Sequence, residues 1–147
     1  MFKLIFFLFS IFFFISNAIS EQTEYFLMLK NKKVNVRFGP YMNSPIKFIY
    51  KKVNLPLKVI DKKENFRRII DHKKNSGWIH ISQLRKANSL IVLEDKILFK
   101  NNSKFSKPII ILEKGRLVLI KKCISNWCNI KTDKYRGWVQ TDNVWGI

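Results

Sequence analysis

Cys123 and Cys128 are the residues whose type and spacing point most directly to chemistry. The turn Ile124–Trp127 separates them, which puts them on facing arms of one hairpin. In an oxidising compartment the default for such a pair is a disulfide, worth about 2 kcal/mol for so short a loop. Two strand cysteines whose Cβ vectors diverge would instead stay reduced. A metal site would lack its third and fourth ligands. His72 falls in the turn His72-Lys73-Lys74-Asn75-Ser76, and His80 follows Trp78-Ile79 at a strand end. Neither has a Cys or Ser in a nucleophile-like setting. The 10 carboxylates are scattered, with only Glu94 and Asp95 adjacent, and half of them flank lysines, as Asp61 and Asp133 do. That is the pattern of surface ion pairs, not of a tuned acid–base couple. The 5 glycines are spread too thinly to cradle a phosphate. The expectation is a protein that is not an enzyme and calls for no cofactor or metal.

The elements that would position these residues occur twice. Val34-Asn35-Val36-Arg37, Pro45, Asn65-Phe66, Gly77-Trp78-Ile79 and Leu84 reappear as Ile97-Leu98-Phe99-Lys100, Pro108, Asn126-Trp127, Gly137-Trp138-Val139 and Val144. Arg37 to Pro45 is 45 − 37 = 8 residues, and Lys100 to Pro108 is 108 − 100 = 8. Trp78 to Leu84 and Trp138 to Val144 are both 6 (84 − 78 and 144 − 138). A unit this short, repeated once, describes two small modules and shifts the expectation from catalysis toward binding.

Helical periodicity is nearly absent after residue 20, and the apolar runs are short and rich in β-branched and aromatic residues. In the first module strands are expected near Val34–Arg37, Ile46–Tyr50, Leu57–Asp61, Asn65–Asp71 and Gly77–His80. In the second they fall near Lys96–Lys100, Pro108–Leu112, Leu117–Lys122, Trp127–Lys131 and Gly137–Val139. Ile81–Leu84 and Thr141–Val144 should each form a short 3₁₀ segment. The fold class is all-β: two tandem five-stranded small barrels, over residues 30–86 and 89–147. The junction near Lys86–Ser89 is too short for a flexible linker, so the barrels should pack together. For Trp78, Trp127, Trp138 and Trp145, packing is the expected role.

Residues 1–20 look like a secretory signal peptide: Lys3, an apolar run from Leu4 to Ile15, then Ala18-Ile19-Ser20. The run is 15 − 4 + 1 = 12 residues, short of the roughly 18–20 needed to span a bilayer. The expected location is therefore periplasmic or extracellular, with no stable membrane span after cleavage. The formal charge of +18 falls to +17 when Lys3 is removed. Such a charge attracts polyanions. The cations are nonetheless scattered in pairs such as Lys51-Lys52 and Lys121-Lys122, where solvated lysines are ordinary. Export counts against nucleic acid as a partner.

Val34-Asn35-Val36-Arg37-Phe38-Gly39-Pro40, followed by a strand pair, Gly77-Trp78-Ile79 and Leu84, resembles the bacterial SH3-like domain family. Trp127-Cys128-Asn129-Ile130 and Tyr135-Arg136-Gly137-Trp138-Val139 resemble a divergent second copy. The resemblance covers about residues 30–147. It implies a barrel that binds rather than catalyses, and a role in recognising peptidoglycan or its peptide stems. The chain departs from the pattern at Phe38, where a small residue is common, and at Asn101-Asn102-Ser103, which replaces the Gly-Pro turn.

On this reading a ligand groove forms between Phe38–Ser44 and Lys62–Asn65, floored by Trp78. Tyr41 offers a flat amphipathic surface and Arg37 a donor to a carboxylate. The plainer alternative pairs Arg37 with a nearby acid and leaves Tyr41 as an exposed turn residue. The leading functional expectation is an exported envelope-binding module for peptidoglycan or a peptide. The alternatives are an envelope protein–protein interaction module and a general polyanion or membrane-surface binder.

Overall fold

The fold is taken from a computed structural model, in which residues 24–147 are described. The expected signal segment, residues 1–20, lies outside the described residues. The first module has seven strands: β1 (Tyr25–Leu29), β2 (Val34–Arg37), β3 (Ile46–Tyr50), β4 (Pro56–Lys63), β5 (Phe66–Ile70), β6 (Ser76–His80) and β7 (Leu84–Lys86). The second has β8 (Ser89–Val92), β9 (Lys96–Phe99), β10 (Pro108–Leu112), β11 (Leu117–Ile124), β12 (Trp127–Thr132), β13 (Tyr135–Gln140) and β14 (Val144–Trp145).

All ten expected strands are present, and four more flank them. Each module is one antiparallel sheet, ordered β3-β2-β6-β5-β4-β1-β7 and β10-β9-β13-β12-β11-β8-β14. The two orders are identical when seven is added to each label. The added strands extend the expected five to seven, and the sheet curls around its core without its edge strands pairing, so the barrel is not closed by hydrogen bonds. Ile81–Gln83 forms the expected 3₁₀ turn. The matching segment of the second module is a plain turn.

Alternation along the strands builds each core. Val34 and Val36 of β2 are buried while Asn35 is exposed, and β9 repeats the pattern with Lys96, Leu98 and Ile97. This corrects the sequence alignment by one residue. Arg37 pairs with Trp78, and Phe99 pairs with Trp138, so Phe99 and not Lys100 stands in the place of Arg37. Lys96 accordingly occupies the place of Val34. The spacing match misled because the two prolines are not equivalent: Phe38 N donates to the Pro45 carbonyl as Lys100 N does to the Lys107 carbonyl, so Pro108 stands in the place of Ile46. Both copies also carry a bulge here, which skips Lys47 in one and Ile109 in the other. A second bulge also recurs, at Ile60 and Lys121. Gly77 and Gly137 answer one steric demand: a Cβ would lie 2.4 Å from Val36 Cγ1 in one copy and 2.5 Å from the Phe99 carbonyl oxygen in the other.

The outward faces of β1 and β8 then meet. Leu90 and Val92 point into the second core, but Ile91 is buried with Leu29, Val34 and Leu57 of the first. This is why every residue of β8 is buried. By register, Met28, Pro56 and Arg85 of one copy are the equivalents of Ile91, Leu117 and Trp145 of the other. Ser89 Oγ donates to the Asn54 carbonyl at 2.6 Å and lies 3.6 Å from Met28 Sδ. Trp145 Nε1 donates to the Pro56 carbonyl at 3.0 Å, and its ring meets Phe26 edge-on at 5.2 Å. Phe99 packs similarly on Trp127 within the second module.

Cys123 and Cys128 are register partners on β11 and β12 and are disulfide-bonded, with Cα atoms 4.0 Å apart. They occupy the places of Lys62 and Arg67 in the first module, next to a two-residue turn with Ser125 at φ 55°. Adding reductant to the otherwise intact protein should lower its unfolding free energy by about 2 kcal/mol in a urea titration. Trp145→Ala removes an inter-module ring contact together with its hydrogen bond. It should cost about 2–4 kcal/mol, and a loss below about 0.5 kcal/mol would show that docking does not depend on this ring.

Candidate functional site

The first module carries an open groove of about 620 Å³ beside β2. Strand alternation turns Asn35 and Arg37 outward into it, while the end of β6 supplies His80 and the turn after it Ser82 and Gln83. Lys33 and Met42 complete the rim. No carboxylate lines it among the described residues. Arg37 Nη1 donates to the Ser44 carbonyl at 2.8 Å, which fixes the guanidinium against the loop after β2 and uses one of its five donors. His80 Nδ1 lies 2.8 Å from Ser82 Oγ and accepts from Ser82 N at 3.3 Å, so the neutral ring carries its proton on Nε2.

The structure brings together two of the three expected site residues. Arg37 and Trp78 are cross-strand partners and share the sheet's outer face, with Arg68 opposite Trp78 on its other side. Tyr41 lies apart. Lys63 Nζ donates to its hydroxyl at 2.6 Å and sits 5.0 Å from its ring centre, bridging the loop after β2 to the β4–β5 hairpin. That hydrogen bond holds the Lys63 ammonium above its ordinary range. The two loops expected to flank a groove are thus joined. The open groove lies on the other side of Arg37, and neither Tyr41 nor Trp78 lines it. Sequence reasoning overlooked Lys33, Asn35 and Ser82. The alternation Val34-Asn35-Val36-Arg37 was the available signal for Asn35.

An equivalent groove of about 340 Å³ recurs in the second module, although Asn101-Asn102-Ser103 replaces the Gly-Pro turn. Its chemistry differs position by position. Ile97 and Phe99 replace Asn35 and Arg37, Gln140 replaces His80, and Asp142 replaces Ser82. The loops after β2 and β9 are equal in length and closed alike: Phe38 N donates to the Pro45 carbonyl and Lys100 N to the Lys107 carbonyl. Beside the second groove, the buried Lys96 ammonium donates to Glu94 and Asp142, each at 3.1 Å. Asn143 chiefly, then Lys96, holds the Glu94 carboxyl below its usual range. For Asp142 the Lys96 hydrogen bond is the leading cause of the same depression.

Two copies of one strand order, with the same bulges and the same groove, match the family described as bacterial SH3 domain over residues 30–86 and 98–146. The chain belongs to the bacterial SH3 domain family. Both of its bacterial SH3 domains thus reach from the strand that carries the groove to the closing strand. Among solved structures, NlpC2 from Trichomonas vaginalis is similar at 14% identity, covering 85% of this chain and 49% of its own, with a TM-score of 0.38. NlpC1 from the same organism is similar at 13% identity, covering 86% and 47%, with a TM-score of 0.38. The chain spans about half the length of either. No curated protein matches it. Among the described residues no cluster of His, Cys, Asp and Glu is arranged to hold a metal ion, and no helix is long and apolar enough to cross a membrane.

A carboxylate with a depressed folded-state pKa stabilises the fold above its unfolded value, and that stability is lost as pH falls through the folded value. Glu94 and Asp142 are both of this kind, so the second bacterial SH3 domain should weaken as pH drops from about 5 to 3. Lys96→Met places an apolar chain where the first module has Val34. It should flatten this acid limb in urea titrations at several pH values. An acid limb as steep as that of the unaltered protein would contradict the assignment.

Proposed function

We propose that this protein is a non-catalytic, exported binding module that recognises cell-envelope material, peptidoglycan or its peptide stems, through the first module's groove. The observation that carries this reading is the groove itself: Lys33, Arg37 and His80 converge on an open concave surface with no carboxylate in its lining. Stem peptides end in free carboxylates, and an arginine already oriented by the Ser44 carbonyl is suited to bind one. Bacterial SH3 domains are commonly cell-wall binding modules, and the disulfide fits an oxidising, exported setting. Trp78, beside Arg37 on the same face, offers an apolar surface next to the charged groove.

A second reading, an envelope protein–protein module, is favoured by one observation. β10 is an edge strand, and Ile109 and Ile111 on it are exposed beside Ile97 of β9. An edge of this kind accepts an added strand from a partner.

Sedimentation with purified wall sacculi separates the two readings. Retention should exceed that of an equally basic control protein and fall at least about fivefold in Lys33→Ala/Arg37→Ala, since a charge-assisted bond is worth roughly 1.5–3 kcal/mol. Retention no better than the control, with one dominant crosslinked protein in cells, is the result expected of the second reading.

A further inference from the structure

A second concavity, separate from both grooves, lies between the modules. It holds about 480 Å³ and draws Lys32, Lys51 and Lys52 from the first module and Arg116 and Lys131 from the second. Asp133 is the one carboxylate in its lining, at 3.8 Å from Arg116, and both partners are largely exposed. Such a pair neutralises little. Lys32, Lys51, Lys52 and Lys131 form no salt bridge among the described residues. Val53, Leu117 and Leu119 supply apolar wall between the charges. Five cations gathered over low-dielectric walls repel one another, and the field they create is relieved by a bound anion.

The backbone beneath these charges is held in place. Lys51 and Lys52 lead into a turn in which Asn54 adopts φ 64°, donates its N–H to the Leu29 carbonyl at 3.0 Å and accepts from Ser89 of the other module. Arg116 follows Gly115, at φ 85° in the equivalent turn. The two turns therefore face each other because the modules dock, and neither module alone would form the cleft. A neighbouring concavity shares Lys52 and Arg116 and extends to Lys114, with Glu113 as the one carboxylate in its lining, so cations outnumber carboxylates along both. Four of the five cations are lysines. They act as separate point charges on flexible stems, which suits anionic groups spaced along a chain better than a single planar carboxylate.

We propose that this inter-module cleft binds a linear polyanion, a chain carrying repeated phosphate or carboxylate groups. The site is distinct from the groove around Arg37 and does not require it.

The test uses the full chain, labelled inorganic polyphosphate and polyglutamate of matched length, and one fixed ionic strength. Lys51→Gln/Lys52→Gln/Lys131→Gln should weaken binding of at least one polymer by about tenfold or more. Lys100→Gln/Lys104→Gln/Lys107→Gln removes the same charge from an exposed loop outside the cleft and should change affinity less than about threefold. Whichever polymer binds more tightly identifies the anionic group. Equal losses in the two triple variants would reduce the effect to net charge and overturn the proposal. Failure of both polymers to bind would overturn it too. Lys51, Lys52, Lys100, Lys104 and Lys107 are exposed and Lys131 is half-buried, and matching unfolding midpoints confirm that the variants remain folded.

Discussion

Ile91 belongs to the second sheet by its hydrogen bonds and to the first core by its side chain. The rest of the molecule depends on that double membership. A module of about 60 residues buries only about 60% of its unfolded surface, which leaves it marginal alone. Here the outward faces of β1 and β8, together with Trp145 and Pro56, bury apolar area that each isolated module would leave in water. Because equivalent strands supply the two contact faces, one duplicated sequence solved both halves of the interface.

The two modules then diverged at corresponding positions. One groove is cationic, with Lys33 and Arg37. The other has Ile97 and Phe99 against Glu94, Asp95 and Asp142. The scaffold that makes the concavity is shared, so most of the difference lies in outward-facing side chains, which the cores do not constrain. Lys96 shows the limit of that freedom. Its position faces inward in β9, and the lysine persists there because Glu94 and Asp142 meet its ammonium at the rim.

Legibility in the sequence followed the range of the interaction concerned. Strand alternation, the repeated Gly77-Trp78 and Gly137-Trp138 pairs and the Cys123–Cys128 hairpin are local, and each was readable from residue type and spacing. β1, β7, β8 and β14 were not, because strands this short or uniformly apolar have no distinguishing period. Tyr25–Leu29 becomes a strand only by pairing with β4 and β7. The repeat was visible, but its register was off by one in β9, since Pro108 stands one place past the equivalent of Pro45 and the equal spacing matched the wrong residue of β9 to Arg37. Of the expected site, Arg37 and Trp78 share a face and Tyr41 does not join them, because Lys63 draws Tyr41 to the neighbouring hairpin.

The sequence by itself determined an all-β duplication, the composition of its cores, the hairpin carrying the cysteines and a large excess of positive charge. These are properties of neighbours along the chain and of counts. Tertiary structure alone decided which of the scattered lysines converge, which side of Arg37 stays open, and that β8 is shared between two cores. Those outcomes depend on how two finished sheets fit face to face, and the residues that meet there, such as Lys51 and Lys131 or Trp145 and Pro56, lie far apart in the chain.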